Sequence, residues 1–302
     1  MRYCALSVDL DEIPHYYRIH GLSDPGAEQH AVYDVALRRI LEFADELAFK
    51  CTLFVVASDA QRDANRELLR VAVRRGHEIG NHSKDHLYDL VRRPRDEQHE
   101  QVVGGAEMLA EHVGVRPLGF RAPGYTLSDA LVEQIVEGGH RYDSSVFPCP
   151  PYYAAKALTL ALQRFTRRSS AAILDQPMVL TAPTRPYRMA EPYTRAGGGL
   201  LELPIQVTPG LRLPYIGTGL VLAGSLGAQA LTELVCGEPF VNLELHGIDF
   251  LGRGDGLTLL ERVQPDLRLP FAKKREIFTT VVRKLRKAGY AFRRLDQVAA
   301  EL

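Results

Sequence analysis

The chain lacks an excess of either charge, and it lacks tryptophan altogether. Its 302 residues include 37 Lys and Arg against 37 Asp and Glu, which gives a formal net charge of +0. Without a basic field nothing draws the whole molecule to nucleic acid, and without an acidic excess no basic partner is implied. The function therefore has to be sought in local patterns of residues.

Cysteine is scarce as well. The four cysteines, Cys4, Cys51, Cys149 and Cys236, lie far apart in the chain and form no Cys-x-x-Cys pair. Such spacing argues against a disulfide framework and against a cysteine-ligated zinc site. We expect free thiols in a reducing compartment.

Long hydrophobic runs are also missing. The sequence has no uninterrupted run of 18 or more apolar residues, which predicts no membrane-spanning segment. Asp9 and Asp11 interrupt the first apolar segment, so we expect no signal peptide either. These observations favour a cytoplasmic protein.

The sequence does contain an alternation of helical and strand-like patterns. Apolar residues recur at helical spacing over 32–49, 60–75, 96–113, 128–138, 227–236 and 271–288. Short apolar or β-branched runs lie at 52–57, 78–81, 118–120, 201–205 and 241–245. Strands that alternate with helices predict a parallel sheet, here an α/β fold of the distorted, incomplete (β/α) barrel type. We expect residues 1–302 to form one domain.

Residues 150–199 interrupt this alternation and predict an insertion. An apolar helix candidate over 154–165 is accompanied by Arg164, Arg167 and Arg168, and a proline-rich loop follows. A basic cap beside an apolar helix is typical of a segment that lies on a membrane surface or binds phosphate. The alternative is a helical insertion packed on the barrel with solvated arginines.

Two histidines four residues apart, His82 and His86, follow a short apolar run. Imidazoles at this spacing can bind one metal ion from a strand end or from the first turn of a helix. Alone the pattern is weak, because ten histidines in 302 residues give about 0.3 such pairs by chance. Whether the two histidines indicate a metal site therefore depends on the motifs elsewhere in the chain.

Two aspartates, Asp9 and Asp11, leave the first strand-like segment and precede Glu12. Side chains at i and i+2 of an extended chain point the same way, so both carboxylates can face one site. Buried carboxylates need a partner such as a metal ion or a guanidinium. A solvated turn after a strand is the alternative.

Two further strand-like runs each end in a side chain suited to chemistry. Arg121 precedes a Pro-Gly turn and can hold a carboxylate through two hydrogen bonds, although a surface arginine is the alternative. His246 ends the run at 241–245, where a structural histidine is the alternative. Functional residues at the carboxyl ends of several strands are typical of an active site in a parallel α/β barrel.

Taken together, these motifs resemble the polysaccharide deacetylase family, the NodB-homology group of carbohydrate esterases. The likeness covers residues 3–146 and 200–250. Its specific segments are 7–11, 77–86, 120–125, 142–145 with 147–148, 203–205 and 243–246.

The resemblance implies metal-dependent hydrolysis of an N-acetyl or other N-acyl group from an amino sugar, in a polysaccharide or a lipid-linked glycan precursor. The implied cofactor is a divalent metal ion, zinc first, with cobalt, nickel, iron or manganese as alternatives. A sugar deformylase or cyclic ureide hydrolase is the alternative among enzymes, and a non-catalytic glycan-binding barrel is the alternative outside them. We expect no nucleic-acid partner. For residues 150–199 we favour packing on the barrel, with peripheral membrane contact as the alternative.

The resemblance also assigns roles to individual residues. Asp11, His82 and His86 would bind the metal, Asp9 would be the general base held by Arg121, His246 the general acid supported by Asp143, and the backbone N–H of Tyr125 an oxyanion donor. Leu10 separates Asp9 from Asp11, whereas many family members have adjacent aspartates, so Glu12 is kept as an alternative ligand. Tryptophan, which often follows the fourth family motif, is absent, and the substrate pocket is left unspecified.

Overall fold

A curled, mostly parallel sheet forms the centre of the computed structural model, which describes residues 1–23, 30–165 and 170–302. The described residues contain nine strands: β1 (Arg2–Asp9), β2 (Thr52–Val55), β3 (Glu78–Asn81), β4 (Gly119–Phe120), β5 (Tyr142–Asp143), β6 (Tyr187–Met189), β7 (Ala196–Glu202), β8 (Phe240–His246) and β9 (Tyr290–Phe292). Their order is β6-β7-β5-β4-β3-β2-β1-β8, and β9 pairs with β1.

Helices cover the sheet. The described α-helices are α1 (Ile13–His20), α2 (Arg38–Glu46), α3 (Asp63–Arg74), α4 (Arg95–His99), α5 (Gly105–Val113), α6 (Asp129–Glu137), α7 (Pro150–Phe165), α8 (Gly217–Val235), α9 (Leu260–Val263), α10 (Phe271–Lys287) and α11 (Leu295–Ala299). π-Helical turns at Val32–Leu37 and Glu100–Gly104 run directly into α2 and α5.

The central strand β1 shows why the sheet is parallel. Cys4, Leu6 and Val8 are buried, and the strand is covered on both faces, as parallel strands with helical crossovers are. It pairs in parallel with β2 on one side and β8 on the other. In this register Asp9 lies opposite His246. Two predicted site residues are thereby brought side by side.

The sheet curls into a barrel that is not fully closed by strand pairing. Asn242 of β8 donates to the carbonyl of Leu203 at 3.0 Å, and the backbone N–H of Gln206 donates to the carbonyl of Asn242 at 3.1 Å. The segment after β7 therefore reaches β8 through a few hydrogen bonds rather than a continuous ladder. The predicted incomplete (β/α) barrel is confirmed.

Apolar packing holds the helices on the sheet. The larger cluster includes Leu41 of α2, Leu69 of α3 and Val281 of α10 with Leu6 of β1. A smaller cluster beneath α6 contains Ile135. Burial of this kind fixes the strands from outside and leaves their carboxyl ends free to build a site.

The segment predicted as an insertion is only partly separate from the sheet. Its helix α7 begins at Pro150, four residues before the predicted start, because prolines are tolerated in a first helical turn. The strands β6 and β7 then form an antiparallel pair at the edge of the sheet. Arg167 and Arg168 lie outside the described residues, and the side chain of Arg164 is not described.

Helix α8 begins at Gly217, ten residues before the predicted start. By length and composition alone it is long and apolar enough to cross a membrane, although Gly, Ser and Thr interrupt its sequence and the backbone leaves helical geometry at Gly224 (φ 68°). In the fold it packs against α10 and β8. Its outer face nevertheless exposes Leu222, Leu226 and Leu234.

Candidate active site

The carboxyl ends of β1, β3 and β8 open into one cavity of about 510 Å³. Asp9, at the end of β1, His82, just after β3, and His246, at the end of β8, all line it. Parallel strands end on the same edge of a sheet, so residues distant in sequence meet there. The convergence predicted from the motifs is present.

Among the described residues, two groups at these strand ends bring possible metal ligands together: Asp11 with His82 and His86, and Asp9 with Glu244 and His246. The first has the donor set expected from the sequence. The Oδ1 atom of Asp11 lies 3.1 Å from Nε2 of His82 and 3.3 Å from Nε2 of His86. One ligand atom from each residue lies within 4.8 Å of the others. All three residues are buried.

The hydrogen bonding of this group fits a metal site. Asp11 Oδ1 and both ring nitrogens of His86 are buried without a hydrogen-bond partner. The ring nitrogen Nδ1 of His82 lies 2.7 Å from the carbonyl of Arg121, which can only accept, so Nε2 carries the lone pair that faces Asp11. Orphaned buried polar atoms are costly, and a cation among them would supply the missing partner. One carboxylate with two imidazoles suits zinc and similar divalent ions.

A tight loop, rather than a helix, presents the two histidines. Strand β3 ends at Asn81, and the backbone then takes left-handed φ values at Ser83 (64°) and His86 (55°). The hydroxyl of Ser83 accepts a hydrogen bond from the N–H of His86 at 3.1 Å. The ring of Tyr88 packs edge-on against His86 at 4.6 Å between ring centroids.

Glu12, the alternative ligand, has another task. Its Oε1 accepts hydrogen bonds of 3.0 Å from the N–H groups of Ile13 and Val32. Glu12 therefore caps the amino terminus of α1, a common use of a carboxylate at that position. Its ligand atoms are not part of the Asp11, His82 and His86 group.

Asp9 and Arg121 form a buried ion pair beside the metal-binding group. Nη1 of Arg121 donates to Oδ1 of Asp9 at 2.7 Å, and Nε donates to the carbonyl of Ser144, also at 2.7 Å. Burial raises the pKa of the Asp9 carboxyl, and the Arg121 guanidinium opposes that rise. The second oxygen of Asp9 lies 3.8 Å from Nε2 of His82, so one carboxylate is tied to arginine while still facing the candidate metal group.

His246 is paired with Glu244, a residue that the motifs did not single out. Nδ1 of His246 lies 2.9 Å from Oε1 of Glu244, whose side chain is fully buried. Burial alone would lower the pKa of His246, but the Glu244 carboxylate outweighs it and holds that pKa well above its ordinary value. The two residues stand at i and i+2 of β8 and so share a face, which is the signal that could have identified Glu244.

Asp143 is not the carboxylate that contacts His246. Both of its oxygens accept hydrogen bonds from Ser145, at 2.8 Å from the hydroxyl and 3.1 Å from the backbone N–H. It also hydrogen-bonds with the buried Glu202. The sequence predicted that Asp143 supports His246. In the structure the carboxylate next to His246 is that of Glu244, and Asp143 is hydrogen-bonded to Ser145 in its own turn.

Tyr125 reaches the site with its hydroxyl. That group lies 3.1 Å from Oε1 of Glu244 and 3.2 Å from Nε2 of His246. The backbone N–H of Tyr125, the predicted oxyanion donor, donates to the carbonyl of Ala122 at 3.0 Å. The φ of Tyr125 is 61°, an uncommon value for a residue with a side chain, and tertiary contacts hold it there.

Helices α7 and α8 build the outer walls of the cavity. Helix α7 contributes Tyr152, Lys156 and Leu160, and α8 contributes Leu222. Nζ of Lys156 donates to the carbonyl of Gly124 at 3.1 Å. The cavity thus has a polar floor at the strand ends and mostly apolar helical walls.

Comparison with known sequences confirms the family resemblance. Residues 31–142 match the family model described as polysaccharide deacetylase. The chain is 30% identical over 103 residues to the peptidoglycan-N-acetylglucosamine deacetylase of Bacillus cereus, a match that covers 34% of this chain and 46% of that protein. The chain spans about half the length of the curated relatives it matches.

Comparison with solved structures confirms the fold. A Mycobacterium smegmatis protein assigned as a polysaccharide deacetylase superposes with a TM-score of 0.59 and 21% identity, over 99% of this chain and 90% of that one. A mutant of a CE4 family pseudoenzyme from Bacillus anthracis, with restored enzymatic activity, gives a TM-score of 0.52 and 14% identity, over 99% of this chain and 67% of that one. Since this fold includes a pseudoenzyme, the side chains of the site, and not the fold, distinguish an active protein from an inactive one.

Proposed function

We propose that this chain, whose resemblance to polysaccharide deacetylases is confirmed over residues 31–142, hydrolyses the N-acyl amide of an amino sugar with the help of a divalent metal ion. One observation carries the proposal: Asp9, Asp11, His82 and His246 line a single cavity, and His86 completes a group of possible metal ligands with Asp11 and His82. A metal-dependent amide hydrolase needs a metal site, a base and an acid around one substrate, and this arrangement offers residues for all three.

The metal would be held by Asp11, His82 and His86. A divalent ion in that position would polarise the acyl carbonyl and make a water molecule more acidic. The chain's own contribution is to aim three buried ligand atoms at one point. The carbonyl of Arg121 helps, because it fixes the tautomer of His82.

Asp9 is the candidate general base. Its carboxylate is oriented by Arg121 at 2.7 Å and lies beside the metal-binding group. As the nucleophilic water attacks the acyl carbon, Asp9 would accept a proton from it. The guanidinium would keep that carboxylate in place throughout the reaction.

His246 is the candidate general acid. An amine leaves an amide only when its nitrogen receives a proton, and His246 carries one at neutral pH because Glu244 raises its pKa. The contact between Nδ1 and Glu244 leaves Nε2 beside Tyr125 at the cavity. The proton is therefore presented to the substrate rather than to Glu244.

Tyr125 would assist in one of two ways. Its hydroxyl, already next to His246, can orient that ring. Its backbone N–H can stabilise the oxyanion only after it leaves the carbonyl of Ala122, to which it donates at 3.0 Å. We therefore propose that the backbone N–H of Tyr125 takes this role only in the complex with substrate.

The walls of the cavity support a lipid-linked precursor over a bare polymer. A long polysaccharide chain would need an open groove rich in hydrogen-bonding groups, whereas α7 and α8 contribute Leu160, Leu222 and similar apolar surface. An amino sugar attached to a hydrocarbon chain would bury that surface, and we take this as the finer form of the proposal.

We also infer contact with a membrane surface, which the outer face of α7 supports. Leu158, Leu162 and Phe165 stand at i, i+4 and i+7 and are 62%, 57% and 88% exposed. Leu222 and Leu226 of α8 are exposed as well. An apolar stripe next to the cavity suits insertion into the boundary between lipid headgroups and acyl chains.

Two alternatives share the same framework. A formyl group or a cyclic ureide presents the same kind of non-peptide C–N bond to the same residues. A glycan-binding protein without activity would have no need for a buried base and acid, and the Asp9–Arg121 and His246–Glu244 pairs favour an enzyme over that alternative.

Mass spectrometry of products tests the proposal. The protein, loaded with one equivalent of zinc, would be incubated with N-acetyl and N-formyl amino sugars, free and lipid-linked, and with a cyclic ureide. We expect loss of the acyl group from an amino sugar, and a much slower loss with Asp9→Asn protein carrying the same zinc. If the protein opens the cyclic ureide and hydrolyses none of the amino sugars, it is a cyclic ureide hydrolase. A zinc-loaded protein that binds sugars and turns over none of these compounds would be a binding protein.

A further inference from the structure

Lys156 of α7 has no role in the chemistry proposed above, yet it lines the same cavity as Asp11 and His82. Its ammonium donates to the carbonyl of Gly124 at 3.1 Å. Gly124 is the residue before Tyr125, whose hydroxyl touches His246. The ammonium of Lys156 therefore contacts the residue that precedes Tyr125, on the side of the cavity where His246, the candidate general acid, lies.

Lys156 differs from two acidic residues that line the same cavity, because each of those is paired with a buried cation. Asp9 is paired with Arg121, and Asp266 with Lys274 at 2.9 Å. In the described part of the chain, Lys156 forms no ion pair and is the only Lys or Arg that lines the cavity. An ammonium has three donors, and the carbonyl of Gly124 occupies one of them.

The surroundings of Lys156 disfavour the isolated charge. Burial lowers the pKa of the ammonium to about 8, although Asp175 acts in the opposite direction. The favourable interactions of the charged ammonium are thus weaker than the cost of its burial. An anion in the cavity would supply the missing interaction, as charge-assisted hydrogen bonds do.

We propose that Lys156 binds an anionic group, a phosphate or a carboxylate, that the substrate carries next to its N-acylated sugar. The inference rests on the proposed function and adds a substrate class to it. Lys156 lines the cavity together with Asp11 and His82 of the floor and with Leu160 and Leu222 of the apolar wall. In a substrate whose phosphate joins an amino sugar to a hydrocarbon chain, the phosphate can pair with Lys156 and the hydrocarbon can pack on the apolar wall. A neutral polymer offers neither interaction.

Turnover of three soluble probes tests this subsite: N-acetylglucosamine, which is neutral, its 1-phosphate, and N-acetylmuramic acid, which carries a carboxylate. We expect the native protein to prefer the phosphate in kcat/KM by about ten-fold over the neutral sugar, mainly through KM. Lys156→Met should abolish that preference and leave the neutral sugar unchanged, and Lys156→Arg should keep most of it. Preference for the muramic acid instead would assign the subsite to a carboxylate.

Thr159→Val, one turn further along the same wall of α7, is the matched control and should leave the preference intact. Should Lys156→Met slow the charged and neutral probes equally, Lys156 only holds the Gly124 turn, and the inference is overturned. If Met at this position prevents folding, Lys156→Gln takes its place. Equal use of all three probes by the native protein would overturn the inference as well.

Binding measured apart from turnover separates this inference from the proposed function. Calorimetry with N-acetylglucosamine 1-phosphate should show affinity that falls about ten-fold in Lys156→Met. If no probe is hydrolysed while binding still depends on Lys156, the proposed function fails and the anion subsite stands. If hydrolysis occurs and neither binding nor kcat/KM depends on Lys156, the subsite fails alone.

Discussion

The floor and the walls of the cavity are built by different means. The floor consists of polar side chains at the ends of β1, β3 and β8, and one of its buried carboxylates, Asp9, is paired with Arg121. The walls come from α7 and α8, where apolar side chains such as Leu158 and Leu226 stand exposed. The difference indicates that the strand ends determine the reaction and the helices determine what is brought to it.

The two regions should also respond differently to mutation. Removal of one partner from a buried ion pair leaves an uncompensated charge and destabilises a protein by about 3–5 kcal/mol. Substitution of an exposed side chain usually changes stability by no more than about 0.5 kcal/mol. Floor variants therefore need a fold control, while wall variants report directly on binding.

The largest effect is expected from the floor. His82→Ala or His86→Ala should lower turnover at least about 10³-fold, because a metal ion contributes several kcal/mol to such a reaction. Elemental analysis of the purified variants should find less than one metal ion per chain. Far-UV circular dichroism should show that the helices and strands are retained.

His99 offers a matched control, since its side chain is 52% exposed on α4, away from the cavity. His99→Ala should keep both metal and turnover. One metal ion per chain in both the His82 and His86 variants would show that these histidines are not the ligands.

An intermediate effect is expected from Glu244→Gln. Proton donation needs the charged form of His246, so activity is lost as the pH rises through the pKa of His246. Glu244 raises that pKa, and its removal should move the alkaline limb of the kcat profile to lower pH. At pH 8 we expect a loss on the order of ten-fold, measured under saturating substrate.

Asp143→Asn is the comparison for Glu244→Gln. Because Asp143 is hydrogen-bonded to Ser145 rather than to His246, its substitution should leave the alkaline limb where it is. If the alkaline limb of the kcat profile moves in Asp143→Asn and stays in place in Glu244→Gln, then Asp143 is the carboxylate that supports His246, as the family motifs predicted.

The floor could largely be predicted from the sequence, for a physical reason. Each motif residue follows an apolar run that becomes a parallel strand, and parallel strands end on one edge, so Asp11, His82 and His246 had to converge. Glu244 was missed because within an apolar run it resembles an ordinary interruption. The hydrogen bonds of Asp143 were missed because they depend on its own turn.

The walls could not be predicted in this way. The helix predicted over 227–236 corresponds to the part of α8 after the break at Gly224, and the part that starts at Gly217 was missed because it is rich in glycine and lacks clear helical spacing. Lys156 was passed over because a single lysine on a helix carries no motif. Its place beside Gly124 depends on how α7 folds back over the barrel, which is a long-range contact.

A smaller effect on affinity, with none on the chemistry, is expected from the walls. Leu158→Ser, Leu162→Ser and Phe165→Ser combined should weaken binding to acidic vesicles at least about ten-fold, because three apolar side chains no longer insert. Co-sedimentation measures the binding, and higher salt should weaken it further if cations contribute. Hydrolysis of a soluble sugar should stay within about two-fold of the native rate.

Val136→Ser provides the control, because Val136 is exposed on α6 and does not line the cavity. It should change vesicle binding little. Absence of vesicle binding by the native protein at either salt concentration would leave α7 as barrel packing and favour a soluble substrate.

The central claim is that two aspartates, two residues apart, divide the work: Asp9 moves the proton and Asp11 holds the metal. Its most direct test measures metal content and turnover together in Asp9→Asn and Asp11→Asn proteins. The account predicts about one metal ion per chain in Asp9→Asn with turnover reduced on the order of 10²–10⁴-fold, and a loss of metal in Asp11→Asn. Loss of metal from Asp9→Asn, with metal retained in Asp11→Asn, would contradict it.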